Sequence, residues 1–506
     1  MATFSRTLAA WIFFLAIGLA LTHSGTTTWD SLEHLARSDW LLARFHLPTN
    51  GHEDMINPIL MAYGPLWALL LGLFALPLQP LHDPSWFQNG FNFTLFPLTL
   101  LYCFCFLRRA GYERATCALA AATLLSIIRL GGHSLSNVVD FPLACLFLIS
   151  ALLNWRVVER DADRPVERAV AAFVAIAVFL VRPPMLLPLA ILNASTLFLL
   201  KRLSLRRRIA ETLASWIALI AISYAIWPMI WDQGLAGFIK IGGLFSRFPI
   251  SYGVRLYGSD FVSDKLPFYY TLVWFPLVVT PAALATIIIG LWGHAKRGLS
   301  RRSLPTWLCG TSLAAWAAIL VLHPSLYDED RHFLFLFPPL VLAAALGCDL
   351  LSKKWRWGLA AACAATALAA YAQWGRYSYV YRNPLAGPTT SQDFMGDYWG
   401  SCVSPAVRGA LASTPESGGL LIVPGPALNA KLALSRLPGG ERLLVGSRAP
   451  GPPTQEQPLF VLVTNRLGGH HVVLHDIERG LADRVDIQTM PGGEIACVVA
   501  RYPAKH

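Results

Sequence analysis

Charged side chains are scarce in this chain of 506 residues, since Asp, Glu, Lys and Arg together make up only 14% of it. Soluble proteins carry about 25%. Hydrophobic residues reach 55%, and the mean hydropathy is +0.48. This composition excludes a disordered chain, a disulfide scaffold and an ordinary cytosolic enzyme. Repeated apolar runs of transmembrane length, each ending in Arg or Lys, indicate a polytopic α-helical membrane protein.

Cysteine and histidine motifs for metal binding are also missing. The nine cysteines include no CxxC pair and no HExxH sequence occurs, so neither a structural nor a protease zinc site is predicted. Cys402 and Cys497 lie in the C-terminal region, where oxidation is open to them. A disulfide between them is a hypothesis that spacing alone cannot prove. The other seven lie in or beside apolar runs and are interpreted as small core residues.

The basic residues orient the chain in the membrane. Lys and Arg total 41 against 30 Asp and Glu, but about half of them lie in clusters between apolar runs, where positive charge marks the cytoplasmic side. The excess therefore does not indicate nucleic-acid binding. The five clusters are Arg108, Arg109 and Arg114; Arg156, Arg160, Arg164 and Arg168; Lys201, Arg202 and Arg206 to Arg208; Lys296, Arg297, Arg301 and Arg302; and Lys353, Lys354 and Arg356.

About eleven spans place all five clusters in the cytoplasm, with the N-terminus inside and the C-terminus outside. The stretch 61–77 decides this topology, because a full crossing there would move every later cluster outside. It is short and interrupted by Gly64-Pro65, so we interpret it as a juxtamembrane helix on the outer face. The predicted spans are 8–22, 91–107, 115–130, 141–155, 169–183, 184–200, 209–230, 269–292, 304–322, 333–350 and 357–373.

The sequence divides into two predicted domains. Residues 1–373 form the transmembrane domain, with a long first outer loop at 23–90, and residues 374–506 form a small extracytoplasmic α/β domain. In the second part Pro and Gly become frequent and apolar runs shrink to the length of a strand. The predicted strands are 419–423, 442–445, 459–464, 471–474 and 494–499, with helices at 405–412 and 427–436.

The first outer loop carries acidic residues beside the membrane, where carboxylates are costly unless they are solvated or functional. Asp30 and Glu33 are three residues apart and share a helix face, with His34 one turn from Asp30. A carboxylate fixed there can take a proton from an acceptor hydroxyl or amine. The residues alone favour the other interpretation, in which Asp30 and Glu33 cap a helix.

The second outer loop, 131–140, has the sequence GGHSLSNVVD and is followed by Phe-Pro. His133, Asn137 and Asp140 are its candidate site residues. Taken singly, each residue fits a structural role better: Asp140 can begin a helix with Pro in its first turn, and the other two can satisfy backbone groups.

A third outer loop ends in Tyr327, Arg331 and His332, directly before an apolar run. Arg331 suits a lipid-linked phosphate, because Arg presents a fork of donors to phosphate oxygens and stays charged. An interfacial anchor or an ion pair with Asp328 is the alternative. Further outer cations stand at Arg182, Lys240, Arg247, Arg255 and Lys265. The aromatic residues between them suit either a sugar site or an interfacial aromatic belt.

In their order along the chain, these segments resemble the GT-C superfamily of polyprenyl-phosphate-sugar-dependent glycosyltransferases. The resemblance is strongest to bacterial relatives of dolichyl-phosphate-mannose protein mannosyltransferases and of the lipid A aminoarabinose transferase, and it covers most of residues 1–400. The segments that carry it are WDSLEH at 29–34, AYGPL at 62–66, GHSLSNVVDFP at 132–142, WPMIW at 227–231, LPFYY at 266–270, YDEDRHFLF at 327–335 and DYWG at 397–400.

The resemblance implies that Asp30 is the catalytic acidic residue and that Asp140 is a second functional acidic position, with Glu33 as a further catalytic candidate. Relatives often have Asn-Pro-Lys-Asp where this chain has NVVD at 137–140, so a donor-phosphate contact by this loop does not follow. The acidic residues of the first loop are not adjacent, so no cofactor follows with certainty, and a divalent cation stays open. The candidate substrate-binding residues are His34, His133, Asn137, Lys240, Arg247, Arg255, Tyr327, Arg331 and His332.

The predicted function is an inverting glycosyl transfer on the outer, periplasmic face of the bacterial cytoplasmic (inner) membrane. The donor is a hexosyl or pentosyl sugar on a polyprenyl phosphate, and the acceptor is a lipid, a glycan or a protein. Two alternatives stay open: a transporter or flippase of lipid-linked glycan, and a non-catalytic cell-envelope assembly subunit. The outer position of the charges and the absence of a visible inverted repeat disfavour the transporter.

Overall fold

The computed structural model describes residues 12–21, 28–49, 51, 58–78, 85–160, 164–200, 203–246, 248–298, 300, 303–387, 393–425, 427–447, 458–466 and 469–503. Helices dominate the region before residue 375 and lie in all eleven predicted spans. They are α1 Ile12–Leu21, α2 Trp29–Arg44, α3 Leu66–Ala75, α4 Ser85–Arg109, α5 Arg114–Leu125, α6 Ile128–Ser134, α7 Asp140–Glu159, α8 Pro165–Val181, α9 Leu186–Leu199, α10 Leu205–Ile226, α11 Pro228–Gln233, α12 Leu235–Ser246, α13 Tyr270–Leu277, α14 Pro281–Arg297, α15 Leu304–Leu322, α16 Phe337–Gly347 and α17 Lys353–Trp374.

Five helical segments of the described chain are long and apolar enough to cross a membrane: Trp86–Arg109, Asp140–Glu159, Leu205–Ile226, Leu304–Leu322 and Arg331–Leu350. The last joins the 3-10 segment Arg331–Leu336 to α16 and the 3-10 segment Cys348–Leu350. The total of about eleven spans stays a prediction.

Two of the predicted spans are broken helices that pair at their breaks. α5 gives way to α6 around Ile127, and α13 gives way to α14 around Val279, where the two residues form an antiparallel bridge. The amide of Ile128 donates to the carbonyl of Val278 at 3.1 Å, and the amide of Thr280 donates to that of Ser126 at 3.1 Å. Backbone N–H and C=O groups that lose their helical partners at one break are thus hydrogen-bonded to the other break, as an apolar environment requires.

The stretch predicted to be juxtamembrane contains α3, a helix of ten residues. Such a helix is about 15 Å long, half the hydrocarbon thickness of about 30 Å. It packs on α2, where the Cβ of an alanine at Gly72 would lie 3.2 Å from Leu42. The buried Arg37 of α2 donates to the carbonyl of Gly64, just before α3. These contacts hold α2 against α3, which both belong to the predicted first outer loop.

The C-terminal part of the chain, after residue 374, contains in its described residues three α-helices and five strands: α18 Val403–Ala412, β3 Gly419–Ile422, α19 Ala427–Ser435, β4 Leu443–Gly446, β5 Leu459–Thr464, α20 His470–Glu478, β6 Asp483–Thr489 and β7 Ile495–Tyr502. The five strands form a mixed sheet in the order β4-β3-β5-β7-β6. A disulfide joins Cys402, before α18, to Cys497 in β7, with Cα atoms 6.1 Å apart. The division of the chain into domains at residue 373 stays a prediction.

Three features of the sheet regions differ from prediction. Residues 471–474 form no strand but lie in α20, because only Val473 of this apolar run is buried against the sheet while Val472 is exposed. This one-sided burial is the pattern of an amphipathic helix. The hairpin of β1 Gly253–Leu256 and β2 Ser259–Val262, in the outer loop before α13, was not predicted, and neither was β6.

Candidate functional site

A polar cavity of about 140 Å³ lies where the outer loops and the C-terminal part meet. Segments hundreds of residues apart line it, and they include several predicted site residues. The lining residues are Glu33, His34, Ile59, Leu60, Tyr63, Asn137, Val139, Asp140, Arg182, Phe248, Ile250, Tyr252, Tyr327, Asp328, Arg331, Tyr398, Trp399 and Arg466.

Five charged side chains alternate in sign along this cavity. One carboxylate oxygen of Asp140 pairs with Arg182, and the other lies 3.5 Å from Nε of Arg331. Asp328 repeats the pattern, with one oxygen 3.1 Å from Arg331 and the other 2.8 Å from Arg466. Glu33 also lines the cavity, so its three arginines face three carboxylates. The arginines can donate to an anionic ligand such as a phosphate.

Asn137 fixes the position of Asp140 at the start of α7. Its side-chain oxygen accepts the amides of Val139 at 3.0 Å and Asp140 at 2.7 Å, while its Nδ2 donates to the Asp140 carboxylate at 3.1 Å. These bonds satisfy backbone groups, as the sequence suggested for Asn137. They do not preclude a site role for Asp140, because its side chain still faces the cavity and two arginines.

The first outer loop reaches the cavity through Glu33 and His34. Burial, together with the positive charges of Arg37, Arg331 and Arg182, lowers the pKa of His34 well below its usual value. His34 is therefore neutral at pH 7. Asp30 lies one turn earlier in α2, and its side chain lies outside the described residues.

Several predicted binding residues lie away from the polar cavity. Arg255 pairs with Asp260 across the β1–β2 hairpin, at 2.7 and 2.8 Å. Lys240 is exposed on α12 and lines neither cavity. His133 is fully buried against the ring of Trp399, with ring centroids 5.0 Å apart. Arg247 lies outside the described residues.

An apolar cavity of about 550 Å³ adjoins the polar one. Tyr63, Arg182, Phe248 and Tyr327 line both cavities and so form their junction. The predicted residue His332 lines the apolar cavity, with its ring 4.3 Å from that of Tyr327. The remaining lining comes mainly from α9, α12 and α15 and includes Met185, Leu186, Leu187, Ala190, Phe238, Ile241, Gly242, Phe245, Ala315, Ala318, Ile319 and Leu322.

A second buried charge cluster lies directly beside Arg331. Arg129 of α6 pairs with Glu329 at 2.6 Å and also with Asp330. Arg382 lies 3.5 Å from Glu329 and 3.4 Å from Glu494 of the C-terminal part. These pairs hold a loop whose residues Asp328 and Glu329 have left-handed backbone angles, with φ of 56° and 64°. Such angles cost about 1–3 kcal/mol each for residues other than glycine and cluster at functional sites.

Three residues of the polar cavity are not among the site residues predicted from the sequence. The sequence indicates Arg182 only as an outer cation and Asp328 only as a possible ion-pair partner of Arg331. Arg466 carried no signal at all, because it follows a strand of the C-terminal part far from every motif. Two of the three lay beside predicted site segments, so the positions of charged residues at outer helix ends could have identified them.

No group of three or more His, Cys, Asp or Glu side chains placed to hold a metal ion occurs in the described part of the chain.

The chain has the fold of a protein of known structure. The structure of ArnT from Cupriavidus metallidurans in the apo state matches 99% of this chain and 98% of its own, with a TM-score of 0.51 and 11% sequence identity. The same protein bound to undecaprenyl phosphate matches at a TM-score of 0.48 and 12% identity, covering 97% of both chains. No protein-family model and no curated protein matches the sequence.

Proposed function

We propose that this protein is a membrane glycosyltransferase that moves a sugar from a polyprenyl-phosphate donor to an acceptor on the periplasmic face of the bacterial inner membrane. The observation that carries the proposal is the junction of the two cavities. An apolar cavity of about 550 Å³ adjoins a polar one of about 140 Å³, and Arg182 lines both. A lipid-linked sugar phosphate has the same sequence of chemical parts: an apolar chain, an anionic phosphate and a polar sugar.

The fold and the sequence support the same assignment independently. The fold is that of ArnT over the whole chain, and the ordered motifs resemble GT-C glycosyltransferases, including relatives of the lipid A aminoarabinose transferase. Five segments that carry this resemblance contribute residues to the polar cavity. They supply His34, Tyr63, Asp140, Arg331 and Trp399.

In the proposed reaction, an acceptor hydroxyl or amine attacks the anomeric carbon from the face opposite the phosphate, which inverts the configuration. The new bond forms as the bond between carbon and phosphate oxygen breaks, and the electron pair leaves with the lipid phosphate. The phosphate charge rises from about −1 in the diester toward −2 in the released monoester. Arginine at the junction stabilises this developing charge.

The acidic residues take the proton and position the acceptor. Asp30 receives the proton of the acceptor, with Glu33 and the neutral His34 one turn further along α2 and lining the cavity. Asp140, held by Asn137, positions Arg182 and Arg331 at the phosphate end. Positioning and charge stabilisation are the main contributions that a protein makes to this chemistry.

The test is sugar transfer by the full-length protein in membranes supplied with labelled polyprenyl-phosphate sugars. Asp30→Asn is expected to lower the transfer rate about 100-fold or more, the usual contribution of a general base. Asp260→Asn, which makes the same chemical change on the exposed β2 strand, is expected to leave the rate unchanged. A folded Asp30→Asn variant with the parent's rate would remove the catalytic role. Movement of lipid-linked sugar across vesicles without transfer would indicate a transporter instead.

A further inference from the structure

The C-terminal part contributes one basic side chain to the polar cavity. Arg466 follows β5, and its guanidinium lies 2.8 Å from Asp328 and above the ring of Tyr252 at 5.6 Å. About a fifth (21%) of the side chain is exposed. Every other charged residue of this cavity comes from the region before residue 375. The cavity is therefore assembled from both parts of the chain.

Arg466 shares its carboxylate partner with Arg331. Each oxygen of Asp328 contacts a different arginine, at 2.8 Å for Arg466 and 3.1 Å for Arg331. In a variant that lacks the Arg466 guanidinium, the Asp328 carboxylate is no longer shared between the two arginines and pairs with Arg331 alone. Such a carboxylate competes with any anion that Arg331 is to bind.

A second contact ties the C-terminal part to the same loop. Glu494, between β6 and β7, lies 3.4 Å from Arg382, which in turn lies 3.5 Å from Glu329. Arg382 also donates to the carbonyl of Met395 at 2.6 Å. Because Asp328 and Glu329 both hold left-handed backbone angles, their conformation depends on partners that over-determine it. Two of those partners, Arg466 and the Arg382–Glu494 pair, involve the C-terminal part.

We propose that the C-terminal part positions the phosphate-binding arginine, with Arg466 holding Asp328 so that this carboxylate competes less with the departing lipid phosphate for Arg331. This proposal rests on the glycosyl transfer proposed above. Arg466 is a positioning residue in this scheme, since it acts on the phosphate through Asp328 and Arg331. Its effect is therefore larger on steps in which phosphate charge develops than on binding of the uncleaved donor.

The first measurement is a double-mutant cycle in the sugar-transfer assay with the full-length protein. Arg466→Gln is expected to lower kcat about tenfold and to change KM for the donor by less than about threefold. Arg466→Lys is expected to restore part of this loss. In an Asp328→Asn background the Arg466→Gln change is expected to have no further effect on kcat, because residue 328 then has no carboxylate that could compete with the phosphate for Arg331. Asn also tolerates the left-handed angle at position 328.

Arg501→Gln is the matched control. It breaks an Arg–Asp pair of the same kind, 2.8 Å between Arg501 and Asp483, on the exposed surface of the same sheet. Equal kcat for Arg466→Gln and Arg501→Gln would overturn the proposal. So would equal fold losses from Arg466→Gln with and without Asp328→Asn, since the effect would then not pass through Asp328.

A second measurement does not depend on sugar transfer. Binding of undecaprenyl phosphate to the purified protein in detergent is expected to weaken about tenfold in Arg466→Gln and to stay unchanged in Arg501→Gln. If the parent protein transfers no sugar from any donor, the proposed function fails, and this binding measurement decides the positioning role alone. Equal affinities in the parent and in Arg466→Gln would then refute it.

Discussion

Arg182 and Asp140 form a buried ion pair at the junction of the apolar and polar cavities. Arg182 directly follows α8, and Asp140 is the first residue of α7. The pair thus joins one end of α7 to one end of the neighbouring α8. It also places a guanidinium on the boundary between the apolar and the polar cavity.

Removing the charge of Asp140 is expected to destabilise the protein. Asp140→Asn removes the charged partner of Arg182 from this buried pair, and loss of one partner of such a pair costs about 3–5 kcal/mol. Thermal unfolding in detergent measures the loss. Asp260→Asn breaks an exposed pair, for which about 0–1 kcal/mol is expected. Similar transition temperatures for the two variants would contradict the structural importance of the Arg182–Asp140 pair.

Arg331 is expected to be the most sensitive cation of the site. Arg331→Gln should lower kcat/KM about 100- to 1000-fold, the range found when one donor to a developing oxyanion is removed. Arg331→Lys should retain only part of the activity, because Lys keeps the charge but lacks the planar fork. Arg255→Lys, outside the cavities, is the control and should be neutral. Full activity of Arg331→Lys would indicate that charge alone matters at this position.

The helical positions followed from the sequence because apolar run length and basic ends are local signals. The breaks at Ile127 and Val279 could not be predicted, since each is stabilised by the other's backbone across more than a hundred residues. The apolar run at 471–474 was misread as a strand for a similar reason. Its helical state depends on which of its valines the sheet covers, and no local pattern shows that.

The site was predictable where its residues lie in outer-loop motifs and not elsewhere. The structure brings Glu33, His34, Asp140 and Arg331 together around one cavity, although they come from three separate loops. Arg255 instead pairs with Asp260, which lies five residues later in the chain, because a hairpin turn brings the two side by side. Arg466 was not found, because its role depends on how the C-terminal sheet packs over the loops.

The apolar cavity is expected to hold the polyprenyl chain, and Gly242 offers a way to fill it. This residue lines the cavity, and a Cβ there meets no atom within 4 Å. Gly242→Phe should raise KM about tenfold for a long-chain donor, since excluding two methylenes costs about 1.6 kcal/mol. A short-chain donor should be unaffected. Gly243→Phe, at a neighbouring position that does not line the cavity, is the matched control. If Gly242→Phe changes KM equally for the long-chain and the short-chain donor, the polyprenyl chain binds outside this cavity.

The stability of the protein is expected to fall in mild acid because of the buried His34. Burial, together with the charges of Arg37, Arg331 and Arg182, lowers the pKa of His34 well below its usual value. In the unfolded chain His34 titrates at about pH 6.5. Below that pH the unfolded state binds protons that the folded state does not, so the free energy of unfolding decreases as the pH falls.

Thermal unfolding between pH 7.5 and 5.5 tests this prediction. The transition temperature of the parent should drop across this interval, and His34→Gln should show a smaller drop because it removes one group that takes up a proton only on unfolding. His323→Asn is the control, since His323 is exposed at the end of α15 and Asn tolerates its left-handed angle, φ 45°. Its pH dependence should equal that of the parent. If His34→Gln has the same pH dependence as the parent, protonation of His34 does not drive the loss, and other groups in the same pH range do.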